Sequence, residues 1–156
     1  MIAPLLATPR LYLDIDGVII SNNSPFETVN LNRFEAYAPE VVERLGRTGL
    51  ELVWLSSWES EAHHISESID ALRKATVLPA GILDAPIRAK REALIADQKR
   101  APSAFVWVDD MITYRTRMVV ESRLRVPHLL ISPNKERGLN DSELLRIEAF
   151  ARHHQN

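Results

Sequence analysis

Two acidic pairs close apolar runs in this chain. Asp14 and Asp16 end the stretch "RLYLDIDG", and Asp109 and Asp110 end "AFVWVDD". Side chains alternate along a strand, so Asp14 and Asp16 share a face. Two like charges about 4 Å apart repel by roughly 4 kcal/mol at an effective dielectric near 20. A buried carboxylate without a partner is costly as well. Such a pair calls for a cation between the groups, or for a strand that ends there, and Gly17 points to an ending. Four aspartates at strand ends suit a hard divalent cation. Mg²⁺ takes oxygen ligands and keeps several waters and a substrate phosphate, so it is the expected ion. Aspartate is also a good turn former and helix cap. That reading competes for one pair alone; two pairs ending two parallel strands favour a site.

Two further residues fit the same chemistry. Lys90, near the start of a helical segment, can neutralise a phosphate and a carboxylate together, or can be solvated beside Arg88 and Arg91. Ser56, at the end of "LELVWLSS", can hydrogen-bond a phosphate oxygen or cap the helix that follows. His63 and His64 are adjacent on a helical segment and point to different sides, which makes a poor metal pair. Trp54, Trp58 and Trp107 read as core, with Trp58 placed to line the site.

Strands are expected over 10–16, 50–57, 104–110 and 126–132, with at most a short one in 76–86. Helices are expected over 39–49, 59–75, 88–100, 111–123 and from 141 onward. The last is signposted by Asn140 as cap, Glu143 three residues on, and a Leu139–Leu144 staple. Alternating strands and helices imply an α/β fold: a three-layer, Rossmann-like parallel sheet with helices on both faces. Ligands bind such sheets at the carboxyl ends of the strands. Asp14, Asp16, Ser56, Ser57, Asp109 and Asp110 should therefore converge on one edge.

The bulk composition is that of a soluble, cytoplasmic protein. The 156 residues suit one domain, with 46% hydrophobic and 26% charged residues. A net charge of −2 leaves no global basic field for nucleic acid, only room for a local patch. The absence of cysteine removes disulfides, thiolate metal sites and thiol nucleophiles. The start "MIAPLLATPR" lacks the basic region of a signal peptide, and no apolar run has transmembrane length, so no membrane partner is expected.

The order of these features resembles the haloacid dehalogenase-like (HAD) phosphohydrolase superfamily. It has "DIDGV" after an apolar strand, a serine ending the second strand, a lysine before "VWVDD", and that acidic pair, over about residues 11–132. Locally, "VWLSSWESEA", "FVWVDD" and "SPNKERGLNDSELLRIEAF" resemble small standalone HAD domains of bacteria and phages, some grouped with RNA-repair systems. The resemblance implies Asp14 as the nucleophile that forms an aspartyl-phosphate. It implies Asp16 as acid for the leaving alcohol and base for water, with its main-chain carbonyl on the metal. Ser56 and Lys90 complete the catalytic set. Asp109 becomes a Mg²⁺ ligand, and Asp110 a ligand directly or through water. An acid at position 16 serves phosphoryl transfer; carbon–halogen cleavage needs none. Toprim nucleases also end a strand in Asp-x-Asp, but after an earlier strand carrying a glutamate, and no such strand precedes residue 11.

Many relatives of this kind insert a cap over the site. The residues between Gly17 and Pro39 are few and polar, and 76–86 leaves room only for a loop, so no cap domain is expected. An open site suits a substrate that brings its own cover: a nucleic-acid end, a phosphoprotein or an oligomeric neighbour. A phosphatase of nucleotide or polynucleotide-end phosphates is the first expectation. The alternatives are a phosphatase of a small metabolite or phosphoprotein, and a non-catalytic binding or regulatory module. The 22–37 segment, with Arg33, Phe26, Phe34 and Tyr37, either approaches the substrate or forms a surface hairpin packed on the core.

Overall fold

A computed structural model describes residues 7–20, 39–56, 75–79 and 86–155. The strands are β1 (Arg10–Leu13), β2 (Glu51–Trp54), β3 (Thr76–Val77), β4 (Phe105–Val108) and β5 (His128–Ile131). They form one sheet in the order β3-β2-β1-β4-β5, parallel throughout. The described helices are α1 (Pro39–Gly46), α2 (Pro86–Arg100), α3 (Tyr114–Arg123) and α4 (Asp141–His154). None is long and apolar enough to cross a membrane.

Both faces of the sheet are apolar because the strands carry hydrophobic residues at successive positions. Leu11, Leu13, Leu52, Trp54, Val106, Val108 and Ile131 face α1 and α4. Tyr12, Val53, Phe105, Trp107 and Leu130 face α2 and α3. This alternation makes the three layers. Pro39 and Pro86 open α1 and α2, where a missing N–H costs nothing. Asn140 Oδ1 accepts the Glu143 N–H at 2.8 Å, and Leu139 and Leu144 are buried in one cluster. The start of α4 thus follows the expected Asn140 cap and leucine staple.

The register sets the site. Leu13 is level with Trp54 on one side and Val108 on the other. The chain therefore leaves β1, β2 and β4 at one edge, at Asp14, Ser56 and Asp109. The strands are shorter than the sequence pattern suggests and stop before the aspartates. Asp14 N–H still reaches Val108 O at 3.0 Å, and Asp109 N–H reaches Ile131 O at 3.1 Å. Beyond these bonds the backbone turns. Met111 N–H bonds Asp109 Oδ1, and Thr113 caps α3, so this helix begins at Tyr114 rather than Met111. The 22–37 segment, Ser57, Trp58, His63, His64 and residues 59–74 of the expected 59–75 helix lie outside the described residues; Ala75, at its end, is not helical and packs against the core.

Candidate active site

β1 and β4 are neighbours in the middle of the sheet, and their connections run to opposite sides. This is the point where a parallel sheet opens a crevice at its carboxyl edge. Asp14 leaves β1 there and is 4% exposed; Asp109 leaves β4 and is fully buried. Lys90, on the first turns of α2, reaches between them. Its Nζ lies 2.8 Å from Asp109 Oδ2 and 3.3 Å from Asp14 Oδ1. Burial weakens the hold of Lys90 on its proton, but Asp14 and Asp109 outweigh it, and the net direction is up. The lysine is a fixed cation, not a solvated one.

Buried Ser56 and the Ile15 N–H stand close to Asp14 and favour its charged form. Asp109 Oδ1 accepts from Met111 N–H at 2.9 Å. Asp14, Asp109 and Asp110 each present an oxygen within 4.8 Å of the others. One ammonium cannot balance three carboxylates. Burial, then the charge of Asp109, pushes the Asp14 carboxyl up to about 7, against the pull of Lys90. Asp110 is raised too, first by burial and then by Asp109. The group therefore holds a place for positive charge, filled by a proton or by a cation. All its donors are carboxylate oxygens, the set a Mg²⁺ ion prefers.

Asp16 sits half-buried on the turn after β1, where Val18, Ile19 and Ile20 N–H groups all return to Ile15 O and Gly17 N–H reaches Ile20 O at 2.7 Å. Buried Val18, Ile19 and Ile20 anchor this turn in the core. The Asp16 carboxylate stands outside the three-carboxylate group. Gly17 is needed for two reasons. Its φ is +74°, and a Cβ there would lie 2.6 Å from Asp110 Cγ. The glycine thus lets the β1 turn close onto the β4 carboxylate.

The structure brings Asp14, Ser56, Lys90, Asp109 and Asp110 together and places Asp16 on the adjoining turn. Two supports were not apparent from the sequence. Ser132 Oγ donates to Asp110 O at 3.1 Å. Leu139 N–H donates to Val18 O at 2.8 Å, beside Gly138, whose φ is +73° and whose added Cβ would meet that same oxygen at 2.5 Å. The β5–α4 loop therefore braces the turn that carries Asp16. The only signal for it was the local likeness of "SPNKERGLNDSELL" to other domains.

A buried carboxylate crevice bridged by a lysine, at the switch point of a β3-β2-β1-β4-β5 parallel sheet, has the layout of a HAD domain. The family described as "HAD domain in Swiss Army Knife RNA repair proteins" matches residues 10–144, and the chain belongs to it. No curated protein and no solved structure matches the chain.

Proposed function

We propose that this chain is a Mg²⁺-dependent phosphohydrolase that acts through an aspartyl-phosphate on Asp14, with a phosphorylated nucleic-acid end, RNA foremost, as substrate. The reading is carried by one observation: buried Lys90 pairs with both Asp14 and Asp109, in a crevice with a third carboxylate, Asp110, and no second buried cation among the described residues. A nucleophile needs such fixed orientation, and a structural carboxylate needs no such company. The family's place among RNA repair proteins supports the substrate class.

In this reading an Asp14 oxygen attacks phosphorus, and the bond from phosphorus to the leaving oxygen breaks. Asp16 gives its proton to that oxygen. Water then attacks phosphorus, Asp16 takes back a proton, and the acyl-phosphate bond breaks to release phosphate and restore Asp14. Ser56 orients Asp14 and can donate to a phosphate oxygen. Lys90 bridges Asp14 and Asp109, offsetting their mutual repulsion, and offsets charge on the transferring group. Asp14, Asp109, Asp110 and the Asp16 carbonyl would hold the metal. When bound, Mg²⁺ supplies the positive charge that lets an anionic carboxylate approach an anionic phosphate.

The test is turnover of an aryl phosphate and of 3′- and 5′-phosphorylated RNA oligonucleotides, in Mg²⁺ and in EDTA. The expected result is Mg²⁺-dependent phosphate release, with higher kcat/KM on one RNA end than on the aryl ester. No release from any phosphomonoester in millimolar Mg²⁺ would leave a binding module in its place.

A further inference from the structure

Among the described residues four large hydrophobic side chains are well exposed, and three of them fall on one short segment beside the crevice. Met111, Tyr114 and Met118 are 45%, 77% and 52% exposed. Single exposed hydrophobics are ordinary. Three on one segment that starts directly after Asp110 form a patch. The segment is fixed at its root. Met111 N–H is held by Asp109 Oδ1, Ile112 is buried, and buried Thr116 bonds back to the Thr113 cap. Arg117 ties the helix to β5 by donating to Leu130 O at 2.9 Å. With those side chains turned in, Tyr114 and Arg115 are turned out. Tyr114 and Met118 are four residues apart and share a face of α3.

The charge of the surroundings selects the occupant. From Met111 to Val120 there is no acidic residue, Glu121 follows one turn beyond Met118, and Arg115 is exposed beside Tyr114. The β5–α4 loop, fixed to Asp110 O through Ser132, adds exposed Lys135 and Arg137 on either side of exposed Glu136. A rigid exposed aromatic flanked by cations, continuous with carboxylates suited to phosphate chemistry, has the make-up of a single-strand platform. Bases stack on the ring, and arginine and lysine take the backbone phosphates. A protein partner would use the apolar surface but gives no role to the exposed Arg115, Lys135 and Arg137.

We propose that Tyr114 stacks on the nucleotide next to the reacting phosphate of a single-stranded RNA end, with Arg115, Lys135 and Arg137 on the backbone. The proposal rests on the phosphatase reading for the position of the reacting phosphate. It assigns what that reading leaves open, the surface that selects a polynucleotide over a small ester.

The probe is an RNA oligonucleotide carrying a 2-aminopurine nucleotide next to a 3′- or a 5′-phosphate, bound to full-length Asp14→Asn protein. Stacking should quench the fluorophore for at least one end. Adding Tyr114→Ala should abolish the quench and weaken Kd on the order of 10-fold, and Tyr114→Phe should keep both. In the protein with Asp14 intact, Tyr114→Ala should lower the ratio of RNA to aryl-phosphate kcat/KM by a similar factor. Arg115→Ala with Lys135→Ala and Arg137→Ala should flatten the salt dependence of Kd. A quench that survives Tyr114→Ala overturns the proposal, as does an unchanged substrate ratio. So does a change in oligomeric state on Tyr114→Ala with RNA binding intact, which would mark a protein-docking face. Aryl-phosphate turnover without any quench overturns this proposal alone. A Tyr114-dependent quench without turnover of any phosphate overturns the phosphatase reading and leaves the stacking surface standing.

Discussion

Replacing Lys90 by methionine removes the one buried cation among the described residues that faces Asp14 and Asp109, and keeps most of the side-chain volume. At 2.8 and 3.3 Å, and an effective dielectric near 20, the two attractions are each on the order of 5 kcal/mol. Relief of the lysine's own desolvation offsets part of that loss. Removing one partner of a buried pair costs about 3–5 kcal/mol. In EDTA at pH 8, Lys90→Met should therefore lower unfolding stability by about 3 kcal/mol or more, which for a chain of this size is roughly 6–12 °C in Tm. Acidification should narrow the deficit, because Asp14 and Asp110 are already raised and can take up protons in place of the ammonium. The sign follows from Asp14. Its folded value of about 7 lies above the unfolded 3.8, so ionising it in the folded state costs stability as pH rises between those values. Mg²⁺ should also narrow the deficit and should bind the variant more tightly than the parent, since a competing cation has gone. Turnover should nevertheless collapse. Urea melts at pH 6 and pH 8, in EDTA and in Mg²⁺, read all of this. A loss below about 1 kcal/mol in EDTA at pH 8, or weaker Mg²⁺ binding by the variant, would refute the reasoning.

Two other perturbations probe the supports. Gly17→Ala meets both a positive φ and the Asp110 carboxylate, so it should cost about 1–3 kcal/mol and blunt the Mg²⁺-induced rise in Tm; a parental Mg²⁺ response would show that Asp110 is not held there. Asp97, away from the crevice, accepts from the Tyr12 hydroxyl at 2.6 Å and pairs with Arg100 and Arg10. Burial pushes its carboxyl up, but Tyr12, Arg100 and Arg10 outweigh it and the net direction is down. Its stabilisation is present above the unfolded carboxyl range, near pH 4, and is lost as pH falls through the lower folded value. Asp97→Asn should cost about 2 kcal/mol at pH 7 and progressively less toward pH 2, as followed by chemical melts; a deficit independent of pH would contradict this.

Much of the fold was legible because its signals are local. The apolar runs at β1, β2, β4 and β5, the Asn140 cap with Glu143, and the Leu139–Leu144 staple each state their own structure. The crevice was legible because a parallel sheet brings successive strand ends to one edge, so Asp14, Ser56 and Asp109 had to meet. Lys90 was ambiguous, since nothing in "RAKREAL" says which face of α2 is buried. The contacts that finish the site are distant in sequence. Gly138 against Val18, Ser132 against Asp110, and Gly17 against Asp110 depend on where loops meet, which periodicity does not encode. The exposure of Tyr114 was hidden for the same reason: a tyrosine at the start of a helix reads equally as core until its neighbours, Ile112 and Thr116, are seen to take the inward positions.

The central claim is a covalent bond between Asp14 and phosphorus. Protein quenched in acid during turnover of an aryl phosphate with Mg²⁺ can be reduced with borohydride, which converts an aspartyl-phosphate to homoserine, then digested and sequenced by mass spectrometry. The account predicts homoserine at position 14, and none there when substrate is omitted. Homoserine at position 16, 109 or 110, or continued phosphate release with no acyl-phosphate at any aspartate, would contradict it.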